Sequence, residues 1–214
     1  MKYPDKVKIV EVGPRDGLQN ETKNITTQNK IELVERLAKA GVRFIEAAAF
    51  VSPKWVPKMA DSGDVMKQLK RESGVVYSAL TPNMKGFNAA LAAQVDEVAI
   101  FGAASETFSQ KNTNCSIEES LKRFETMIHL WEENQLRVRA YISTCWICPY
   151  EGNVDPKSVV KVIQELLDLG VHEISLGDTI GKANPVDVEY LLEIILDYWP
   201  IEIFALHMLS LIHI

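Results

Sequence analysis

With 214 residues, 47% of them hydrophobic and 24% charged, the chain is long enough for one sizeable core, and its composition gives no reason to expect a second domain. Its 23 lysines and arginines against 29 aspartates and glutamates leave a net charge of −6, which argues against general nucleic-acid binding and leaves only a local basic patch open. No apolar run approaches the roughly 20 residues of a membrane span. Met1-Lys2-Tyr3-Pro4 leads directly into a strand-like run, so no signal or transit peptide is expected and the expected compartment is cytoplasmic.

Short apolar runs alternate with amphipathic segments along the chain. Val7–Val12, Phe44–Ala49, Val75–Leu80, Glu97–Phe101, Val138–Ile142, Glu173–Leu176 and Ile203–Leu206 read as strands. They are apolar almost throughout, as parallel strands covered on both faces are. Helices fall between them. Thr27 is expected to cap a helix with an apolar face of Ile31, Val34, Leu37 and Ala38, ended by Gly41. Ser116-Ile117-Glu118-Glu119 reads as a capping box, and Asp155-Pro156 and Asn184-Pro185 each place proline behind a cap residue. Seven strand–helix alternations without a Gly-rich dinucleotide turn predict an α/β (β/α)8 barrel, with a doubly wound sheet as the alternative. Seven units are one short of eight, so the barrel is expected to be incomplete.

Three cysteines make a poor disulfide framework. Cys145-Trp146-Ile147-Cys148 has CxxC spacing, but it follows a strand and meets Pro149 rather than opening a helix. Two unpaired loop thiols are the expectation.

In a barrel, chemistry gathers where strands end. Arg15 and Asp16 follow the first predicted strand and Glu46 interrupts the second. Thr81 and Asn83 follow the third, Ser105 and Glu106 the fourth, Ser143 the fifth, Asp178 and Thr179 the sixth, and His207 ends the seventh. Each taken alone could be a cap or loop residue; polar groups at all seven ends form a pattern. Asp16 and His207 offer an oxygen and an imidazole to a divalent cation. Arg15 can stabilise a developing oxyanion. Glu46 lies in an apolar strand, where an unpaired carboxylate is costly, and is expected to pair with Arg15 or orient it. Asp178 is either a hydrogen-bonding support or a proton carrier, with a turn carboxylate capping the next helix as the plainer alternative.

Several longer motifs bring a family into view: Glu11–Glu21 (EVGPRDGLQNE), Phe50–Pro57 (FVSPKWVP), Leu80–Asn83 (LTPN), Phe101–Glu106 (FGAASE), Cys148–Gly152 (CPYEG) and Ser175–Gly181 (SLGDTIG). On these, from about Val7 to His207, the chain resembles the 3-hydroxy-3-methylglutaryl-CoA lyases. Their wider barrel superfamily also holds isopropylmalate and citramalate synthases and the carboxyltransferase domain of pyruvate carboxylase. The resemblance implies cleavage of 3-hydroxy-3-methylglutaryl-CoA to acetoacetate and acetyl-CoA with Mg²⁺ or Mn²⁺, in a homodimer. It implies that Asp16 and His207 are metal ligands. Arg15 would meet the substrate and stabilise the enolate of the departing acetyl-CoA, and Glu46 and Asp178 would be the family's catalytic acidic residues. Lys54, Lys85 and Lys111 fall in or after predicted loops, and Lys85, near a helix start, is a candidate for the CoA phosphates, with ordinary solvated lysine as the alternative.

The chain departs from the family in three places. Leu209 stands where a second metal-binding histidine is usual, the segment carrying a general-acid cysteine and a further metal-binding asparagine is missing, and Ala47-Ala48-Ala49 replaces a hydroxyl-bearing stretch. Leu209–Ile214 (LSLIHI) back-translates to a transposon-type sequencing adapter, so residues 1–208 are expected to be the barrel domain and residues 209–214 a non-native tail. The literal chain is then expected to have weak turnover or none. Two alternatives stay open: a condensing synthase of the same superfamily, and a non-catalytic acyl-CoA-binding protein.

Overall fold

The computed structural model describes residues 4–209. The start of the chain and all of the expected non-native tail except Leu209 lie outside them. The described residues fall into two compact units, one of Pro4–Ala99 with Gln135–Arg137 and one of Ile100–Asn134 with residues 138–209. Among them no helix is long and apolar enough to cross a membrane.

The first unit opens on an extended segment, a π-helical turn at Gly13–Gly17 and a short helix α1 (Leu18–Asn20). Helix α2 (Thr27–Lys39) follows, then β1 (Phe44–Ala49), α3 (Ser62–Gln68), β2 (Val76–Leu80) and α4 (Met84–Ala92). Strand β3 (Glu97–Ala103) begins here and ends in the second unit. β1, β2 and the start of β3 pair in parallel. Helix α2 buries Ile31, Val34 and Ala38, the inward stripe of the predicted amphipathic face, and Gly41 follows it at φ +100°. Its cap is Thr26 rather than Thr27. The Thr26 hydroxyl accepts the Asn29 N–H, whereas Thr27 Oγ1 donates to Asp61 at 2.7 Å and is thereby engaged.

The second unit carries the rest of β3, α5 (Glu106–Thr113), α6 (Ile117–Glu125), α7 (Ile128–Glu133) and β4 (Arg137–Ser143), whose first residue belongs to the first unit. A small antiparallel hairpin follows, β5 (Ile147–Cys148) with β6 (Gly152–Asn153). Then come α8 (Pro156–Asp168), β7 (Glu173–Asp178), α9 (Pro185–Leu196) and β8 (Phe204–Met208). β4, β7 and β8 run parallel, with Arg139 opposite Glu173 and Gly177 opposite His207. The expected capping box on α6 is present, Ser116 and Glu119 exchanging bonds. Asn184 and Asp187 form a second one on α9. Val138, Ala140, Ile142, Ile174 and Leu176 are fully buried strand residues, and Ile163, Leu166 and Ile195 are fully buried on α8 and α9. Near-continuous apolar strands alternating with covering helices are the pattern of a parallel barrel.

One expected strand is absent from the described residues. Val7–Val12 forms only a bridge between Glu11 and Ile45, and Val7 and Ile9 are 72% and 67% exposed. A strand is held by its ladder, and in this segment the bonds to the strand beside it are confined to Glu11. The described residues therefore hold six parallel strands where the sequence suggested seven.

Candidate active site

The first unit brings together three of the five predicted site residues. At the π-helical turn the Arg15 and Asp16 amides both donate to the Val12 carbonyl, at 3.1 and 2.7 Å. The turn sets Arg15 and Asp16 side by side, close enough to bond each other. Arg15 is buried, its Nε donating to the wholly buried carboxylate of Glu46 and its Nη1 to Asp16 Oδ1 at 2.8 Å. The Asp16 side chain remains 26% exposed, against 0% for Glu46. One guanidinium thus joins an inner carboxylate to one that reaches solvent, a geometry suited to fixing Arg15 in a single orientation.

Glu46 reaches Arg15 from an irregular strand. The pairing of β1 with β2 shifts between Glu46 and Ala48, so Ala47 is an extra residue, a β-bulge. Just beyond, the Ser62 hydroxyl accepts the Ala49 N–H at 3.1 Å. Ala49, the last of the three alanines of β1, thus borders a hydroxyl supplied by α3. The bulge and Ser62 gave no sequence signal: the bulge falls on Ala47, one of three identical alanines after Glu46, and Ser62 is distant in sequence.

The other two predicted residues belong to the second unit. Asp178, at the carboxyl end of β7, is 1% exposed, and its two oxygens accept the Lys182 and Ala183 amides at 3.0 and 3.1 Å. These bonds hold the turn that precedes α9, whereas the cap of α9 itself is Asn184, so Asp178 is a turn carboxylate but not the cap of the next helix. His207 lies in β8, opposite Gly177, with its ring edge-on to Tyr141 at 5.6 Å between centroids. Of the other strand-end polar residues, Asn83 and Ser105 cap α4 and α5. Thr81 Oγ1 donates to the Ala99 carbonyl at 3.3 Å, and Thr179 accepts the Thr144 N–H. Lys85 is an exposed residue of the first turn of α4. Lys111 lies over the Tyr150 ring.

Asp16 and His207 are donor types that suit a divalent cation. Among the described residues, however, no group of three or more His, Cys, Asp and Glu stands ready to hold a metal ion. They therefore account for a cation only in part. The three cysteines are free and buried, as expected for unpaired thiols, although Cys148 falls in β5. Burial pushes the Cys145 thiol up to about 12, with the Asp178 charge adding to the effect, so it is no nucleophile at neutral pH.

Residues 6–208 match the HMGL-like family model. The chain is 50% identical over 205 residues to the bovine mitochondrial hydroxymethylglutaryl-CoA lyase, a match covering 96% of this chain and 63% of that protein. It is 51% identical to a Pseudomonas aeruginosa 3-hydroxy-3-isohexenylglutaryl-CoA/hydroxymethylglutaryl-CoA lyase, covering 97% of this chain and 69% of that one. A crystal structure of hydroxymethylglutaryl-CoA lyase from Pseudomonas aeruginosa superposes with a TM-score of 0.93 at 51% identity, covering 96% of this chain and 68% of that one. The chain thus spans about 63% of the length of the bovine relative. A match over nearly the whole chain, parallel strands alternating with helices and a buried Arg–Glu pair beside Asp16 lead to one conclusion: the chain belongs to the HMGL-like family, with its (β/α)8-type barrel present in part.

Proposed function

We propose that the chain carries part of the active site of a carbon–carbon lyase that cleaves 3-hydroxy-3-methylglutaryl-CoA to acetyl-CoA and acetoacetate. The observation that supports this most is the Arg15 guanidinium, held between Glu46 and Asp16 on an irregular turn. In the reaction the substrate hydroxyl loses its proton and its carbon becomes the ketone of acetoacetate. The electron pair of the broken C–C bond passes into the thioester enolate, and protonation of that enolate gives acetyl-CoA. Arg15 offers its fixed positive charge to the enolate as it forms. Glu46 keeps the guanidinium oriented, and Asp178 steadies the loop at the end of β7 and is the candidate proton carrier. Asp16 and His207 would hold Mg²⁺ or Mn²⁺, which when bound polarises the hydroxyl and a substrate carboxylate. Lys85, exposed at the start of α4, is the candidate contact for the CoA phosphates. A homodimer, a cytoplasmic location and a single barrel domain over residues 1–208 complete the proposal.

The test is to incubate the purified chain with Mg²⁺ and 3-hydroxy-3-methylglutaryl-CoA, following acetoacetate release and, by calorimetry, thioester binding. Thioester binding together with any Arg15-dependent cleavage supports the lyase. Condensation of a 2-oxo acid with acetyl-CoA would favour the synthase, binding without turnover the non-catalytic reading, and neither binding nor turnover would remove the proposal.

A further inference from the structure

Glu11 was named in the sequence only as the start of a motif, yet it closes a circuit around Arg15. Its backbone sits in the strand layer: its N–H donates to the Phe44 carbonyl and its own carbonyl accepts the Glu46 N–H, both at 2.9 Å. Its half-buried side chain turns the other way and accepts the Gly13 N–H at 2.7 Å, at the first residue of the π-helical turn. Glu46 in turn binds Arg15 from that same turn. The path from Glu11 backbone to Glu46, to Arg15, along the turn to Gly13 and back to the Glu11 carboxylate is continuous. Each link is a hydrogen bond or a few residues of chain.

Gly13 is small for a reason that belongs to the same circuit. A Cβ there would stand 2.7 Å from Glu11 Oε1 and would displace the carboxylate. A charged acceptor on a backbone amide is among the stronger single hydrogen bonds. This one ties the amino end of the turn, whereas the bond of Arg15 to Glu46 ties its middle.

We infer that Glu11 is a positioning residue, locking the Gly13–Gly17 turn to β1 so that Arg15 is presented in one orientation. Its consequence for substrate rests on the lyase reading; the lock itself does not. The experiment measures hydrogen exchange across residues 13–17, and calorimetric affinity for 3-hydroxy-3-methylglutaryl-CoA, in the unaltered chain and in Glu11→Ala, Glu11→Gln and Gly13→Ala. Glu11→Ala is expected to speed exchange in the turn by about tenfold or more, because a charge-assisted bond is lost. It should weaken the thioester by about tenfold at an unchanged unfolding midpoint for the rest of the chain. Glu11→Gln keeps a carbonyl acceptor and should restore most of the protection. Gly13→Ala should resemble Glu11→Ala, and the two together should be no worse than either alone. If Glu11→Ala unfolds the chain, Gly13→Ala, which retains Glu11, decides in its place. Unchanged protection in Glu11→Ala, or additive losses in the double variant, would overturn the inference. A chain that binds no thioester while Glu11→Ala still loosens the turn removes the lyase reading and leaves the lock standing.

Discussion

Among the described residues, two arginine–glutamate pairs are buried, and they are built in opposite ways. Arg139 and Glu173 are direct register partners on β4 and β7, their Nη1 and Oε1 atoms 2.6 Å apart, with side chains 5% and 6% exposed. Any two adjacent parallel strands with those residues in register would bring them together. The contact is close as an ion pair but lies outside good hydrogen-bond geometry. Arg15 and Glu46 meet where the backbone is irregular on both sides, at a π-helical turn and at a bulge. Regular pairing follows from register alone, whereas irregular pairing needs additional bonds to hold it. A buried ion pair is in itself weak evidence for stability, since desolvation offsets much of the attraction. The irregular backbone, with Asp16 open to solvent beside it, is what distinguishes the candidate site from an interior pair.

The pairs should differ most when one carboxylate is removed. Glu173→Leu leaves the Arg139 guanidinium with the Ser175 hydroxyl at 3.3 Å and the face of Tyr141, and is expected to cost about 3–5 kcal/mol, the usual range for stranding a buried charge. Glu46→Leu leaves Arg15 still bonded to Asp16, which solvent reaches, and should cost less, about 2 kcal/mol. Urea unfolding of the two variants checks this ordering. Equal losses would mean that Asp16 does not compensate Arg15. Adding Arg139→Met to Glu173→Leu should recover most of the lost stability, because a well-packed apolar pair replaces a desolvated one.

The same contrast explains what was legible in the sequence. The ladder region is legible in the sequence: Glu173–Leu176 and Val138–Ile142 are the cores of β7 and β4, the capping box at Ser116 places α6, and the two cap–proline pairs place α8 and α9. Those features depend on residue type and spacing, which a sequence displays. The pairing of Glu46 with Arg15 was also foreseeable, because a lone carboxylate in an apolar strand demands a partner. The π-helical turn, the bulge at Ala47 and the lock by Glu11 were not. They arise from which carbonyl an amide selects, and neither Arg15 nor Asp16 signals by type that both their amides will meet the Val12 carbonyl. Val7–Val12 misled for the converse reason, its strand-like composition lacking a ladder beyond Glu11.

Two glycines, one in each region, sharpen the comparison with a smaller effect. A Cβ on Gly177 would meet the Ile142 carbonyl oxygen at 2.9 Å and the Ser143 Cα at 3.6 Å, both backbone atoms of a packed ladder that cannot step aside. Gly177→Ala is therefore expected to destabilise by about 1–3 kcal/mol, as overpacking does. At Gly13 the nearest obstruction is the end of the flexible Glu11 side chain, so Gly13→Ala should cost under about 1 kcal/mol of global stability. Thermal unfolding of the two variants under one buffer gives the ranking. A Gly13 variant as unstable as the Gly177 variant would show that the irregular turn is no more yielding than the ladder.

The smallest effect at neutral pH grows on going alkaline, and it probes how dry the ladder end is. Cys145 lies there with its Sγ donating to the Ile142 carbonyl at 3.1 Å, and burial raises its thiol from an ordinary 9.0 to about 12. Between those values the unfolded chain has released the proton and the folded chain has not. The folded state then binds more protons, so stability falls as pH rises, by about 1 kcal/mol per pH unit. Below pH 9 both states keep the proton and the group contributes no slope. Cys145→Ala loses some packing at every pH but lacks this slope, so its deficit relative to the unaltered chain should shrink by about 1 kcal/mol between pH 8 and pH 10. Urea unfolding at the two pH values measures the difference, with lysines and tyrosines cancelling because both chains carry them. A deficit that stays constant would mean that solvent reaches the thiol, and that the carboxyl end of the ladder is less sealed than the 1% exposure of Cys145 implies.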